Sequence, residues 1–333
     1  MTHLKRRKFM KYATASSLGI ALSNTATFGM SLRSSKNTSI GIIGIDTSHS
    51  VAFTKYINGQ ENGFEVIAAY TTVSKDIPAS YERVDKFTQE LKESGIQIVD
   101  SIKQLLELVD CILLETNDGR LHLEQAEEVF KSGKPVFIDK PVAASLKDAI
   151  LIYEAAKKYN VVTFSTSGTR FMSQAQKVRN GSIGKVMGAD TFSPVKYVPS
   201  HSDLFWYGMH GVEHLFTVMQ TGCTRVRRTK TGICDTVVGE WDDGRIGTFR
   251  GIVDGKGGHG GQAFGTEEIA YLGRWEGYEP LVDAILHYFR TNEVPVEPSE
   301  TLEIYAFMEA ALVSSEQGGV WVTLESVMKE AGN

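Results

Sequence analysis

The sequence predicts an α/β protein: a Rossmann-like, doubly wound parallel sheet, followed by an α+β domain with a large, mainly antiparallel sheet. Three observations carry this. Short apolar runs alternate with helix-period segments from residue 39 to about 166. The rhythm then changes: β-type stretches broken by turn signals dominate 188–272, and two helices close the chain. Finally, 333 residues, 42% of them apolar, are too many for one ordinary domain.

In order, residues 40–44 read as the first strand and 48–58 as its helix. Residues 64–70 form a second strand, 78–93 are helical in pattern, and 96–99 make a short third strand. A short helix over 102–108 precedes a fourth strand at 111–114. The helix over 121–131 stops at Gly133, because glycine accepts the left-handed turn that ends a helix. Residues 135–138 are a fifth strand, 144–159 a helix with Leu146, Ile150, Tyr153 and Ala156 on one face, and 161–164 a sixth strand. Later helices are expected over 207–219, 278–291 and 300–315, with a hairpin at Asp243-Gly244. The domain boundaries that follow are 1–30, a leader; 31–38, a linker; 39–166, the Rossmann-like domain; and 167–333, the α+β domain.

The fifth strand organises the rest. Its apolar run ends in Asp139-Lys140-Pro141. Proline cannot continue a ladder, so the Lys140 ammonium is presented at the strand's carboxyl end, where open α/β sheets bind ligands. An ordinary surface lysine is the plain alternative. Against it stands the helix at 207–219, which carries His210 and His214 on one face. His210-Gly211-Val212-Glu213-His214 matches an inverted zincin spacing, but no third ligand is evident and no metal is assigned. The two histidines either flank a sugar, beside Phe205, Trp206 and Tyr207, or are packed structural residues.

The turn after the first strand, Gly44-Ile45-Asp46-Thr47-Ser48-His49, sits where a dinucleotide fingerprint belongs. Only Gly44 matches a glycine position; Asp46 and His49 occupy the other two. A carboxylate about 5 Å from a phosphate charge costs on the order of 3 kcal/mol at an effective dielectric near 20. Asp46 and Ser48 are alternatively helix caps, and Thr47 and Ser48 can donate to a phosphate at the helix N-terminus. Physics alone leaves dinucleotide binding open here. No ribose-binding acid follows the second strand, which ends at Tyr70; Ser74 and Lys75 beyond it either hold a 2′-phosphate or form a solvated turn. Thr116, Asn117 and His122 follow the fourth strand and can line a cleft or cap a helix. The glycine-rich stretch 257–261, which includes His259, is either a flexible loop near the cleft or, the favoured reading, a disordered hairpin tip.

A formal charge of -5 and the lack of a basic stripe exclude a broad nucleic-acid surface. Lys5, Arg6, Arg7, Lys8 and Lys11 precede a Ser/Thr/Ala-rich run, the pattern of a twin-arginine export leader. No 18-residue apolar span predicts an integral membrane helix. Cys111, Cys223 and Cys234 lack metal spacing, and a Cys223–Cys234 bridge stays open.

Thr116-Asn117, His122, Asp139-Lys140-Pro141, Arg170-Phe171, Phe264-Gly265-Thr266-Glu267 and Glu309-Ala310-Ala311 occur in the order that resembles the Gfo/Idh/MocA family. The resemblance runs from about Ile40 to the end. It implies a Rossmann domain, an α+β domain that covers the cleft or forms homo-oligomers, and NAD or NADP as cofactor. It also implies a carbohydrate substrate: a sugar, polyol or glycoside hydroxyl. By the same resemblance Lys140 and His210 act on that hydroxyl, with His214 nearby. Gly44, Asp46, Thr47, Ser48, His49, Tyr70, Thr116, Asn117, His122 and Asp139 join Lys140 around the cofactor. Asp139 replaces the family's Glu, and Trp206 stands where the family has the Asp that partners its His; an indole cannot replace a carboxylate. The expectation is therefore a periplasmic, NAD(P)-dependent sugar oxidoreductase. The alternative is a relative without redox turnover, a sugar-binding protein or a lyase on an oxidised sugar.

Overall fold

A computed structural model describes residues 37–332. The leader expected over 1–30 lies outside them. Two sheets carry the architecture. The first is parallel and holds β1 (Thr38–Ile43), β2 (Phe64–Tyr70), β3 (Gln97–Val99), β4 (Cys111–Leu114), β5 (Val136–Ile138) and β6 (Thr163–Phe164), in the order β3-β2-β1-β4-β5-β6. Its crossovers are α1 (Ser48–Asn58), α2 (Pro78–Tyr81) with α3 (Val84–Glu93), α4 (Ile102–Leu108), α5 (His122–Ser132) and α6 (Leu146–Lys158). The residues of β4 and β5 are all buried, as strands covered on both faces must be. Thr47 and Ser145 cap α1 and α6 through their hydroxyls, and Gly133 ends α5 at φ +72°. The chain order reverses between β1 and β4, which opens the ligand crevice outside their carboxyl ends.

A 3-10 turn (Gly168–Phe171) and α7 (Ser173–Arg179) lead to the second sheet. It contains β7 (Val186–Pro194), then, after α8 (Met209–Met219), β8 (Cys223–Lys230), β9 (Cys234–Trp241), β10 (Ile246–Ile252), β11 (Gly260–Gly265) and β12 (Ile269–Tyr271). After α9 (Glu279–Thr291) and α10 (Pro298–Glu316), the edge strand β13 (Val322–Thr323) completes it, and α11 (Leu324–Ala331) ends the described chain. The order is β12-β11-β7-β10-β9-β8-β13, antiparallel except that β7 and β10 run parallel. Gly244 takes φ +86° in the β9–β10 turn, where the Asp-Gly pair predicts a hairpin.

The inner face of this sheet receives α8. Gly211 is required there: a Cβ would come 2.3 Å from the Phe249 ring and 2.8 Å from Ser193 Oγ. The closing helices also touch the first sheet. Leu281, Val282 and Ile285 of α9 share a core with Phe53, Leu113 and Phe137. Tyr288 donates its hydroxyl to the Val162 carbonyl at 2.5 Å. Cys223 and Cys234 are free.

Candidate functional site

The first sheet brings four acids to its carboxyl edge. Asp46 follows β1; Glu115 and Asp118 follow β4; Asp139 follows β5; each is 2% exposed or less. Their environments differ. Asp46 accepts from Ser80 Oγ at 2.5 Å and from the Asn117 amide at 3.0 Å. Burial nonetheless pushes its carboxyl upward. It therefore turns away from the start of α1, which Thr47 caps instead. Asp118 accepts from Ser74 Oγ at 2.5 Å and from Arg120, whose guanidinium also grips Asp76. Burial opposes its ionisation, but these donors outweigh it and hold the carboxyl below its ordinary value. Both oxygens of Glu115 lack a hydrogen-bond partner among the described residues, and burial with the nearby Asp139 charge pushes it well up.

Asp139 bonds His49, Nδ1 to Oδ2 at 2.5 Å. Burial works against its ionisation, yet the charges of His49 and Lys140 keep it low. The His49 ring stacks on Phe53 with centroids 5.0 Å apart and meets Tyr278 edge-on at 4.6 Å. His49 thus serves β5 rather than the helix terminus where the fingerprint puts it. The half-buried Lys140 comes next, joined to Pro141 by a cis peptide.

The second sheet's helix supplies the facing wall. His210 is half-buried in the first turn of α8 and takes Ser167 Oγ at 2.7 Å on Nδ1; Thr169 Oγ1 donates to its carbonyl at 2.8 Å. Burial pushes its imidazole well below the ordinary value, and the charges of Lys140, His259 and His49 add to the effect. Lys140 and His210, from the two sheets, are therefore electrostatic neighbours. Trp206, where an acid partner would stand, packs on the His201 ring at 4.8 Å. Ser167 holds the imidazole instead.

Several sequence expectations need correction. His214, four residues on, is 1% exposed and cannot flank a substrate; burial drives it down to about 4. The i,i+4 spacing correctly puts both histidines on one side of α8, but the second lies a turn deeper. Glu213 is spent on Arg170, at 2.5 Å, and on Thr166. His122 is fully buried and braces the turn after β4 on the carbonyls of Thr116, at 2.7 Å, and Val142, at 3.2 Å, which occupy both ring nitrogens. The stretch 257–261 is not a free tip. Its His259 ring lies 5.6 Å from His210 and perpendicular to it, with Tyr207 4.9 Å from His210. No local sequence signal marks His259; β11 pairing with β7 puts it there. Tyr278, whose neighbour Trp275 lies 5.0 Å away, is a second crevice residue that sequence reasoning missed. Tyr70 is half-buried at the end of β2, and its carbonyl accepts the Gly44 amide. Thr116 packs so tightly on Gly44 that a Cβ there would come 2.2 Å from the Thr116 nitrogen. Ser48 is exposed.

Residues 38–167 match the family model GFO_IDH_MocA, an oxidoreductase family with an NAD-binding Rossmann fold. Over these residues the chain is similar to that family. Among curated relatives, 1,5-anhydro-D-fructose reductase of Ensifer adhaerens is 32% identical over 116 residues, 33% of this chain and 34% of that protein. The 2,7-anhydro-N-acetylneuraminate hydratase of Escherichia coli K12 is 28% identical over 118 residues, 34% of this chain and 30% of that protein. The chain thus aligns with only about a third of these relatives' lengths. Solved structures extend the likeness of fold over both sheets. Scyllo-inositol dehydrogenase from Lactobacillus casei has a TM-score of 0.70 at 13% identity, covering 87% of this chain and 100% of its own. The WlbA dehydrogenase from Bordetella pertussis has a TM-score of 0.69 at 16% identity, covering 86% and 98%.

A Gfo/Idh/MocA domain implies a nicotinamide dinucleotide, and the residues present fit one unevenly. The crevice end suits the nicotinamide, with Lys140 presented beside β5, Tyr207 4.9 Å from the His210 ring and Tyr278 4.6 Å from the His49 ring. At the pyrophosphate end, Asp46 fills the position where a second glycine lets a phosphate approach. There the Ser74–Asp118 and Arg120–Asp76 bonds also tie the β2 turn to the β4 turn.

Proposed function

We propose that the protein is an NAD(P)-dependent oxidoreductase acting on a hydroxyl of a sugar, polyol or glycoside. The observation that carries this reading is the meeting of Lys140 and His210 from opposite lobes at the carboxyl edge of a Gfo/Idh/MocA-type sheet. Bound nicotinamide would accept hydrogen and an electron pair from the carbinol carbon. Lys140 orients and polarises the hydroxyl, and His210, neutral at physiological pH, positions it from the facing lobe. The aromatic rims of Tyr207, Tyr278 and Trp275 suit the C–H faces of a pyranose or cyclitol. Relatives named for an anhydro-sugar and for scyllo-inositol support that substrate class. We also propose export to the periplasm by the twin-arginine route and assembly as a homo-oligomer.

Asp46 favours a second reading, a relative that binds or cleaves an oxidised sugar without dinucleotide turnover. One panel separates the two. The purified protein is assayed for bound nicotinamide, then with NAD+ or NADP+ against myo-inositol, scyllo-inositol and D-glucose, and with NADH or NADPH against 1,5-anhydro-D-fructose. Turnover that falls about a hundredfold or more in Lys140→Ala and in His210→Ala supports the oxidoreductase. A protein free of nicotinamide and unresponsive to every pairing points to the second reading.

A further inference from the structure

We infer that His49, held by Asp139, is the carboxylate-backed acid/base imidazole of the crevice, the seat to which the substrate's hydroxyl proton passes. This rests on reading the crevice as catalytic. A carboxylate only accepts, so the 2.5 Å bond from Asp139 Oδ2 fixes the hydrogen on His49 Nδ1. Nε2 is then the nitrogen free to take or give a proton, and no hydrogen bond among the described residues engages it. The ring cannot swing away, because Phe53 covers one face and the Tyr278 edge abuts it.

His210 lacks this equipment. Its Nδ1 partner is a hydroxyl, Ser167, which cannot balance an imidazolium, and Trp206 offers no acid one turn earlier. The titratable groups around His49 are Asp139 and Lys140 at the end of β5, Tyr278 at the entry to α9 and His210 on α8. Glu115 is coupled electrostatically to Asp139, Lys140 and Asp46. Only Asp139 among them bonds the ring. In the step, the substrate O–H bond breaks and an N–H bond forms at His49 Nε2. The oxygen's electron pair completes the carbonyl, while the carbon loses hydrogen and its electron pair to the nicotinamide of the proposed reaction. Asp139 balances the imidazolium, and the reverse direction returns the same proton.

The test has two arms. In 15N-histidine NMR of the wild-type chain, with His49 assigned by loss of its signals in His49→Gln, the neutral ring should carry its hydrogen on Nδ1. Asp139→Asn should abolish that preference. In the sugar and cyclitol panel, His49→Gln should lower kcat by about a hundredfold or more with KM changed less than about threefold. Asp139→Asn should lower kcat by at least about tenfold and move one limb of the pH profile. An unprotonated Nδ1 in the wild type would overturn the inference. So would a His49→Gln enzyme that keeps the wild-type rate and profile while Lys140→Ala is dead, which leaves the oxidoreductase standing. A silent panel removes the oxidoreductase instead, and the spectra alone then decide the state of His49.

Discussion

At the scale of single residues, Asp46 is the side chain on which the proposed dinucleotide binding turns. It stands where the fingerprint wants a glycine, and its carboxyl lies inside the turn, bonded to Ser80 and to the Asn117 amide. A carboxylate charge about 5 Å from a phosphate would cost on the order of 3 kcal/mol, roughly a hundredfold in affinity. Asp46→Gly should therefore tighten NADH or NADPH binding by up to about a hundredfold in a fluorescence titration. Asp46→Asn removes charge but keeps size, so it separates electrostatics from volume. Because burial raises this carboxyl, acid neutralises it early, and wild-type affinity should climb as pH falls while Asp46→Gly stays flat. Equal affinities in all three proteins would show that the phosphates sit elsewhere.

At the scale of elements, α8 is set by a buried ionic network. Arg170 in the 3-10 turn is 1% exposed and bonds Glu213 of α8 and Glu300 of α10, while Arg179 of α7 also holds Glu300. Arg170→Met leaves Glu213 charged and buried without its partner, which costs about 3–5 kcal/mol. Urea unfolding should show that loss, and kcat should fall with it because His210 rides on α8; unchanged stability would mean that water replaces the guanidinium. Much of this element framework is legible in the chain. The strands at 64–70 and 111–114 and the helix at 102–108 need only local periodicity, and they coincide with the sequence reading residue for residue. Lys140 at a strand's carboxyl end follows from Pro141 in the same way. What escaped was long-range: His259 reaches His210 through β-strand pairing, Tyr278 reaches His49 from 229 positions away, and Asp139 chooses His49 across the sheet. Spacing gives the side of a helix but not its depth, and His214 is buried on α8.

For the whole molecule, imidazoles held down by burial tie stability to pH, and His201 and His214 show how. His201 accepts the Gly119 amide on Nε2 at 3.0 Å, so a proton there breaks the bond; His214 has no hydrogen-bond partner among the described residues. Both are buried, and burial holds each down at about 4. An unfolded imidazole titrates near 6.5, so between these values the unfolded chain takes up protons that the folded chain refuses. The stability from keeping each ring neutral is full above about 6.5 and drains away as pH falls toward 4, by at most about 3 kcal/mol per ring. The thermal midpoint should thus be level near neutrality and decline below about pH 6.5, before carboxylates begin to protonate. His214→Leu keeps the volume and removes one titration, so between about pH 6.5 and 5 it should lose part of that slope, while His122, His201, His210 and His259 keep the rest. A variant whose midpoint tracks the wild type point for point would mean that His214 is hydrated and takes its proton without unfolding.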